Sequence, residues 1–414
     1  MNVLIIGGYG VVGRQIAALL AHRHPQLTLT LAGRSLPAAQ AAAQELPGAQ
    51  AACIDIASAN PLRGLTAPVD VIVAAVNDDD DHLLLAAAAR GLPLIDITRW
   101  TERVQTGAAR LLALPQPSVL SAPIVFASSW MAGLAATLAR EAALTLATVE
   151  RIDIDILYAL KDRSGPNSVA YMDRLATPFR VMEEGRQVWA SPLSDPRDVA
   201  FADGPTARTA RFDAPDQFTL PTLTGARNVA TRIAFDDPWS SWALRAAVRS
   251  GLWRLLSRPS LAGLRHALLH NPGPGGPHRI EVSVSGQDAA GGRVHSVLSL
   301  ADPQGQTHLT AVGAMIQVER VLGLNGHARA PAGLQVAEAL TDGALVRQTL
   351  QEEGIQLTTT GRCAWATMAF PLTPELRDPH APPSQQDATA RSTLLATGGA
   401  PPFCDDDVGL AGPA

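Results

Sequence analysis

The chain has 414 residues, enough for two or three domains at ~100–200 residues each. Hydrophobic residues make up 47% and charged residues 17%, which supplies a core and excludes disorder of the whole chain. A net charge of −5 gives no basic field for a polyphosphate backbone and argues against nucleic acid as a partner.

Three cysteines, Cys53, Cys363 and Cys404, form no CxxC pair. They fit neither a disulfide framework nor a zinc site and point to a reducing compartment. The first residues enter a strand without a basic leader, and no run approaches the ~18 apolar residues of a membrane span. A soluble, cytoplasmic protein without a membrane partner is expected. Of 33 basic residues only Lys161 is lysine, a bias that GC-rich codons explain.

Strands are predicted at 3–6, 27–32, 51–56, 69–76 and 92–97, and helices at 13–21, 37–46 and 79–90. This β-α-β-α rhythm predicts a doubly wound parallel sheet over residues 1–130. A connecting helix at 130–144 leads into 131–320, where 148–157 alternates apolar and polar residues as a strand with one solvated face does. Similar runs at 279–285, 294–301 and 308–318 predict a mixed or antiparallel sheet, with a Trp-rich helical stretch at 239–269. Residues 335–353 read as helix within a segment 321–376. The Pro-, Ser- and Gly-rich stretch 377–414 reads as a disordered tail. The fold class is α/β: a doubly wound parallel sheet followed by an α+β domain.

Gly8-Tyr9-Gly10-Val11-Val12-Gly13 follows the first strand and opens the first helix. In that context GxGxxG binds a dinucleotide: Gly8 for the tight turn, Gly10 for approach to the pyrophosphate, Gly13 for helix packing, and a helix N-terminus for the phosphates. The second strand ends in Ala32-Gly33-Arg34-Ser35, with arginine where NAD sites carry an acid. Arg34 and Ser35 therefore point to the 2′-phosphate of NADP. Asp55, after the third strand, is placed either on the adenine or at a helix cap. Ala75, Val76 and Asn77 end the fourth strand, where small residues let the nicotinamide ribose lie against backbone.

The opening VLIIGGYGVVGRQIAALL, the LAGRS, DVIVAAVN and LPLIDIT strand ends, and residues 310–323 and 331–354 together resemble the saccharopine dehydrogenase-like oxidoreductases. The resemblance spans most of residues 1–357 and is loose across 160–300. It implies a Rossmann NADP-binding domain, an inserted α+β substrate and dimerisation domain in a homodimer, and closing helices that return to the first domain. It also implies hydride transfer to or from a C–N bond of an amino-acid conjugate, or reduction of a C=C bond in a lipid or polyketide precursor. Where saccharopine-forming relatives carry Pro-Tyr and an Asp-x-x-Gly-Glu-like sequence, this chain reads Asn77-Asp78-Asp79-Asp80-Asp81-His82 and Asp96-Ile97-Thr98-Arg99-Trp100. Those departures argue against saccharopine as the substrate.

Asp96, Thr98, Arg99 and Trp100 follow the fifth strand at the carboxyl edge of the sheet, where open α/β folds place ligands. Arg99 is a candidate clamp for a substrate carboxylate and Trp100 a candidate pocket wall. Ser129 and Trp130 open the connecting helix beside the expected nicotinamide. Lys161 and Tyr171 are the candidate proton donors. The run Asp78–Asp81 reads as helix N-terminal acids rather than a metal site, because consecutive carboxylates diverge. The Trp- and Arg-rich stretch 239–269 lacks a clean apolar stripe and reads as a dimer interface or a lid, not a membrane helix. The function expected first is NADP(H)-dependent hydride transfer to an imine or secondary amine of an amino-acid-derived substrate. Reduction of an activated C=C or C=O on an apolar precursor stands beside it, as does a non-catalytic NADPH sensor.

Overall fold

The computed structural model describes residues 1–114, 120–162, 171–261, 275–339 and 342–361. Residues 163–170, the tail 377–414, Cys363 and Cys404 lie outside them. Met1–Met368 forms one compact unit.

The first part runs β1 (Asn2–Ile6), α1 (Val11–Arg23), β2 (Thr28–Gly33), α2 (Leu36–Gln44), β3 (Gln50–Cys53), β4 (Val71–Ala74), α3 (His82–Arg90), β5 (Leu94–Asp96), α4 (Thr101–Leu112), β6 (Pro123–Phe126) and α5 (Leu134–Ala143). The middle contains β7 (Thr148–Tyr158), β8 (Phe179–Glu183), β9 (Arg186–Ala190), β10 (Arg197–Ala200), β11 (Thr206–Arg211), α6 (Asp216–Thr224), β12 (Asn228–Phe235), α7 (Pro238–Arg249) and α8 (Leu252–Leu256). The last part holds β13 (His278–Gln287), β14 (Arg293–Asp302), α9 (Gln306–Leu322), β15 (Gly333–Val336), α10 (Gly343–Glu352) and β16 (Gln356–Thr360).

Seven strands form a parallel sheet in the order β15-β6-β5-β4-β1-β2-β3. The chain reverses between β1 and β4, the switch point at which doubly wound sheets open a crevice. Val3 and Ile5 pack on one face while Leu4 and Ile6 pack on the other, the two-sided burial that makes parallel strands continuous apolar runs. A second, nine-stranded sheet is ordered β10-β11-β12-β7-β13-β14-β16, with the β8–β9 hairpin attached to β12. It is mixed: β7 and β12 are parallel and the other pairs antiparallel.

The strand expected at 308–318 is instead the middle of α9. Nearly all of its residues are buried, and it packs against both α1 and the second sheet. A helix buried all round has no polar stripe, so its apolar run imitates a strand. The helix expected at 335–353 divides into β15, a 3₁₀ turn at Ala337–Ala339 and α10. β15 pairs in parallel with β6 and returns the chain to the first sheet.

The alternation in β7 also reads differently in three dimensions. Ile152, Ile154 and Ile156 face the core, but Asp153 and Asp155 are buried too, paired with Arg197 and Arg232. The face expected to be solvated is covered by arginines from β10 and β12. In the Trp-rich stretch, Trp239 and Trp242 are exposed and meet edge to face. Trp253 is buried, and its indole N–H donates to the Met172 carbonyl at 2.9 Å. No helix among the described residues is long and apolar enough to cross a membrane.

Candidate active site

A cavity of about 610 Å³ opens where the carboxyl ends of β1, β2 and β4 meet the second sheet and the N-terminus of α9. Its first wall is the glycine-rich turn. Gly7, at φ +84°, makes the left-handed turn that the sequence spacing assigns to Gly8. The Gly7 and Gly8 amides both donate to the Ala32 carbonyl, at 2.8 and 3.2 Å, which locks the turn to β2. A Cβ on Gly13 would lie 2.2 Å from the Gly7 carbonyl oxygen, so only glycine lets α1 seat this closely. Gly8 is packed against Leu31 and does not line the cavity. Tyr9, Gly10, Val11, Val12 and Gly13 do, with the α1 N-terminus directed at the space.

Arg34, at the end of β2, is exposed and lines this wall. Ser35 is otherwise occupied: its hydroxyl caps α2 by accepting the Ala38 N–H at 3.4 Å, and it does not line the cavity. Asp55 lines the cavity and accepts the Ala57 N–H at 3.1 Å in a turn; no helix among the described residues follows it before β4, so it does not act as the helix cap expected as one alternative. Ala75, Val76 and Asn77 form the floor.

At the far end the wall is built by Ser128, Ser129, Trp130 and Met131 after β6, and by Tyr158, Tyr171, Met172, Phe212 and Ile233 from the second sheet and its loops. Gln306, Thr307 and Thr310 come from α9. Trp130 meets Phe212 edge to face at 5.7 Å, and Tyr171 stacks on Phe212 at 5.9 Å. The Trp130 indole donates to His278 Nε2 at 3.2 Å, and burial lowers the pKa of His278 to about 3, so this imidazole is neutral. Met131 and Ala132 both hold left-handed backbone, at φ 58° and 53°. Strain of this kind in non-glycine residues collects at functional sites.

Asp96, Thr98, Arg99 and Trp100 do not line the cavity. The Arg99 guanidinium is buried and holds Asp96 and Asp81 at 2.6 Å each, with Asp78 at 3.7 Å. It is therefore an internal clamp for the β4 and β5 strand ends and is not available to a substrate carboxylate. Asp96 also accepts the Thr98 amide at 3.0 Å, and the Arg174 guanidinium covers the Trp100 ring at 4.9 Å. Asp81 precedes α3 and binds Arg99, Arg103 and Arg110, while Asp78 accepts the Leu84 N–H at 3.0 Å. Only Asp78 thus serves the helix N-terminus in the way expected of the acidic run. Among the described residues no group of three or more His, Cys, Asp or Glu is arranged to hold a metal.

The two expected proton donors are displaced as well. Lys161 is exposed in the turn after β7 and does not line the cavity. Tyr171 lines it, but its hydroxyl donates to the Arg99 carbonyl at 3.1 Å, and burial drives its pKa upward. Among the far-wall residues that sequence reasoning did not single out are Tyr158, Met172, Phe212, Ile233, Gln306, Thr307 and Thr310. They come from segments far apart in the chain, and no local spacing marks them.

The parallel sheet, the glycine turn and the crevice define a dinucleotide-binding domain of the Rossmann type, facing a second sheet that closes the site. The particular kind follows from comparison. Residues 3–111 match the model of the saccharopine dehydrogenase NADP binding domain. Its fold is similar to that of saccharopine dehydrogenase (L-Glu forming) from Saccharomyces cerevisiae, with a TM-score of 0.62 at 13% identity, covering 87% of this chain and 100% of that one. A myo-inositol dehydrogenase from Corynebacterium glutamicum aligns with a TM-score of 0.39 at 14% identity, covering 87% of this chain and 98% of that one. No curated protein matches the chain in sequence.

Proposed function

We propose that the protein is an NADP(H)-dependent oxidoreductase acting on an activated C=O or C=C bond carried by a largely apolar substrate. The observation that carries this reading is the composition of the far end of the cavity. Trp130, Met131, Tyr158, Tyr171, Met172, Phe212 and Ile233 line it. Among the described residues the one arginine or lysine lining the cavity is Arg34, at the opposite, β2 end.

The residues present fit a nicotinamide dinucleotide. Close packing at Gly13 brings the α1 N-terminus up to the glycine turn, where free amides and the helix dipole favour a pyrophosphate. Arg34 supports NADP over NAD, because its guanidinium suits a 2′-phosphate and no carboxylate stands in its place. When bound, the cofactor supplies hydride. The chain's own residues hold the acceptor against aromatic surfaces and keep water from it. An amino-acid imine would need a cation for its α-carboxylate at the far end, where the described lining offers none.

The test is NADPH consumption by the purified chain against a panel of aliphatic ketones, enones and α-imino acids. Turnover of ketones or enones with an apolar body is expected. Turnover confined to imino acids would overturn the substrate reading. Tight NADPH binding with no turnover of any member would favour a non-catalytic sensor.

A further inference from the structure

Reduction of a C=O or C=C bond needs a proton as well as a hydride, and neither Lys161 nor Tyr171 is placed to give one. Behind the Ser129–Trp130 turn lie two carboxyl groups that the reading so far leaves unused. Asp216, the first residue of α6, is fully buried and accepts the Trp130 amide at 3.1 Å. Glu338, in the 3₁₀ turn after β15, is also fully buried. Its Oε1 accepts the Ser129 hydroxyl at 2.9 Å and the Thr219 hydroxyl, while its Oε2 is buried with no hydrogen-bond partner. The Ser129 hydroxyl also favours the charged form of Asp216, so it is coupled to both acids.

Two carboxyl groups sharing a dry site cannot both ionise. Burial first, and then the Glu338 charge, push Asp216 up to about 7, and burial likewise raises Glu338 against the partial relief offered by Arg320. One of the two acids therefore keeps its proton up to near neutral pH. Ser129 touches this pair on one side and lines the cavity on the other.

We propose that Ser129 is the proton donor to the substrate and that Asp216 and Glu338 hold the proton that refills it. The proposal rests on the reductase reading above. As hydride from the bound dinucleotide forms a C–H bond, the π pair of a carbonyl moves to its oxygen, which takes the Ser129 hydroxyl proton. The Ser129 oxygen takes the proton of the buried acid, leaving one further carboxylate charge, which a proton from water neutralises after product leaves. Carbonyl, reduced dinucleotide and one proton give alcohol and oxidised dinucleotide. For an enone, the electron pair ends on the α-carbon, which takes the same proton.

The test uses the full chain and two readouts. Without cofactor or substrate, infrared spectra near neutral pH should contain a protonated carboxylic acid band shielded from solvent exchange. Asp216→Asn or Glu338→Gln should weaken or shift it, because the remaining acid keeps only its own burial, and Ser129→Ala should shift it by deleting a hydrogen bond. In turnover, Ser129→Ala should lower kcat ~10²–10⁴-fold, the usual range for loss of a general acid, with the NADPH Kd unchanged. Ser129→Thr, which keeps a hydroxyl, should restore part of that loss. Glu338→Gln should lower kcat and displace the alkaline limb of its pH profile, which a purely structural role would leave in place.

Absence of the protonated-acid band in the wild type would overturn the proposal, as would a Ser129→Ala enzyme within about twofold of wild type. Should the wild type reduce no carbonyl or enone while the band still shifts in Ser129→Ala, the substrate reading falls. The retained proton and its coupling to Ser129 are then still supported.

Discussion

The ring of Tyr9 is seated against Gly33: a Cβ at Gly33 would fall 2.5 Å from Tyr9 Cε1, and the Tyr9 hydroxyl accepts the Ser35 amide at 3.3 Å. One residue of the glycine motif thereby fixes the strand end that carries Arg34. Gly33→Ala should unseat the ring and destabilise the fold by about 1–3 kcal/mol, the usual cost of overpacking. Denaturant unfolding of Gly33→Ala, Tyr9→Ala and the double variant would check it. The double variant should recover much of the loss, because the clash is pairwise. Strict additivity would show that the ring is not what Gly33 accommodates.

Arg34 tests the cofactor preference. A charge-assisted hydrogen bond is worth about 1.5–3 kcal/mol, or roughly 10–100-fold in Kd. Arg34→Glu should weaken NADPH by at least that factor, through loss of the bond and added repulsion, and leave NADH much less affected. Paired titrations followed by tryptophan fluorescence would measure both. Equal losses would remove the 2′-phosphate assignment and leave Arg34 a surface residue.

What could be read in advance divides along physical lines. The residues 8–13 motif and the strands around it were legible because each is a local pattern: a continuous apolar run, then glycines at fixed offsets. The helix α9 was not, because burial on every side erases the polar stripe that marks helices. Arg99 was misread for a different reason. Its acidic partners Asp78 and Asp81 lie about 20 positions earlier, and adjacency to a strand end cannot distinguish an arginine aimed at ligand from one aimed at them. The far wall of the cavity, from Tyr158 to Thr310, exists only once the second sheet is folded.

The Arg99 cluster predicts a large stability effect rather than a binding one. Removing one partner of a buried ionic network strands the others and costs about 3–5 kcal/mol. Arg99→Met should therefore lower the unfolding free energy by that order, since Asp81 retains Arg103 and Arg110 but Asp96 loses its bond at 2.6 Å. Substrate KM measured on whatever protein remains folded should change little. A stable variant with a large KM defect would show that Arg99 does reach the substrate.

His278 and Asp216, on either side of Trp130, act on stability in opposite directions with pH. Asp216 has a folded pKa raised from 3.8 to about 7, chiefly by burial. Its contribution is complete below the unfolded value and is lost as pH rises through about 7. His278 has a folded pKa lowered from 6.5 to about 3 by burial, so its contribution is present above 6.5 and is lost as pH falls toward 3. Protonating it also converts Nε2 from the acceptor of the Trp130 indole into a donor and breaks that 3.2 Å bond. Between about pH 4 and pH 6.5 the two trends oppose and largely cancel in the wild type, so unfolding free energies of the single variants separate them. Over that range Asp216→Asn, whose amide oxygen can still accept the Trp130 amide, should leave a stability that rises with pH, and His278→Gln one that falls. A flat profile in both single variants would mean that the acid and the imidazole titrate as one unit through Trp130.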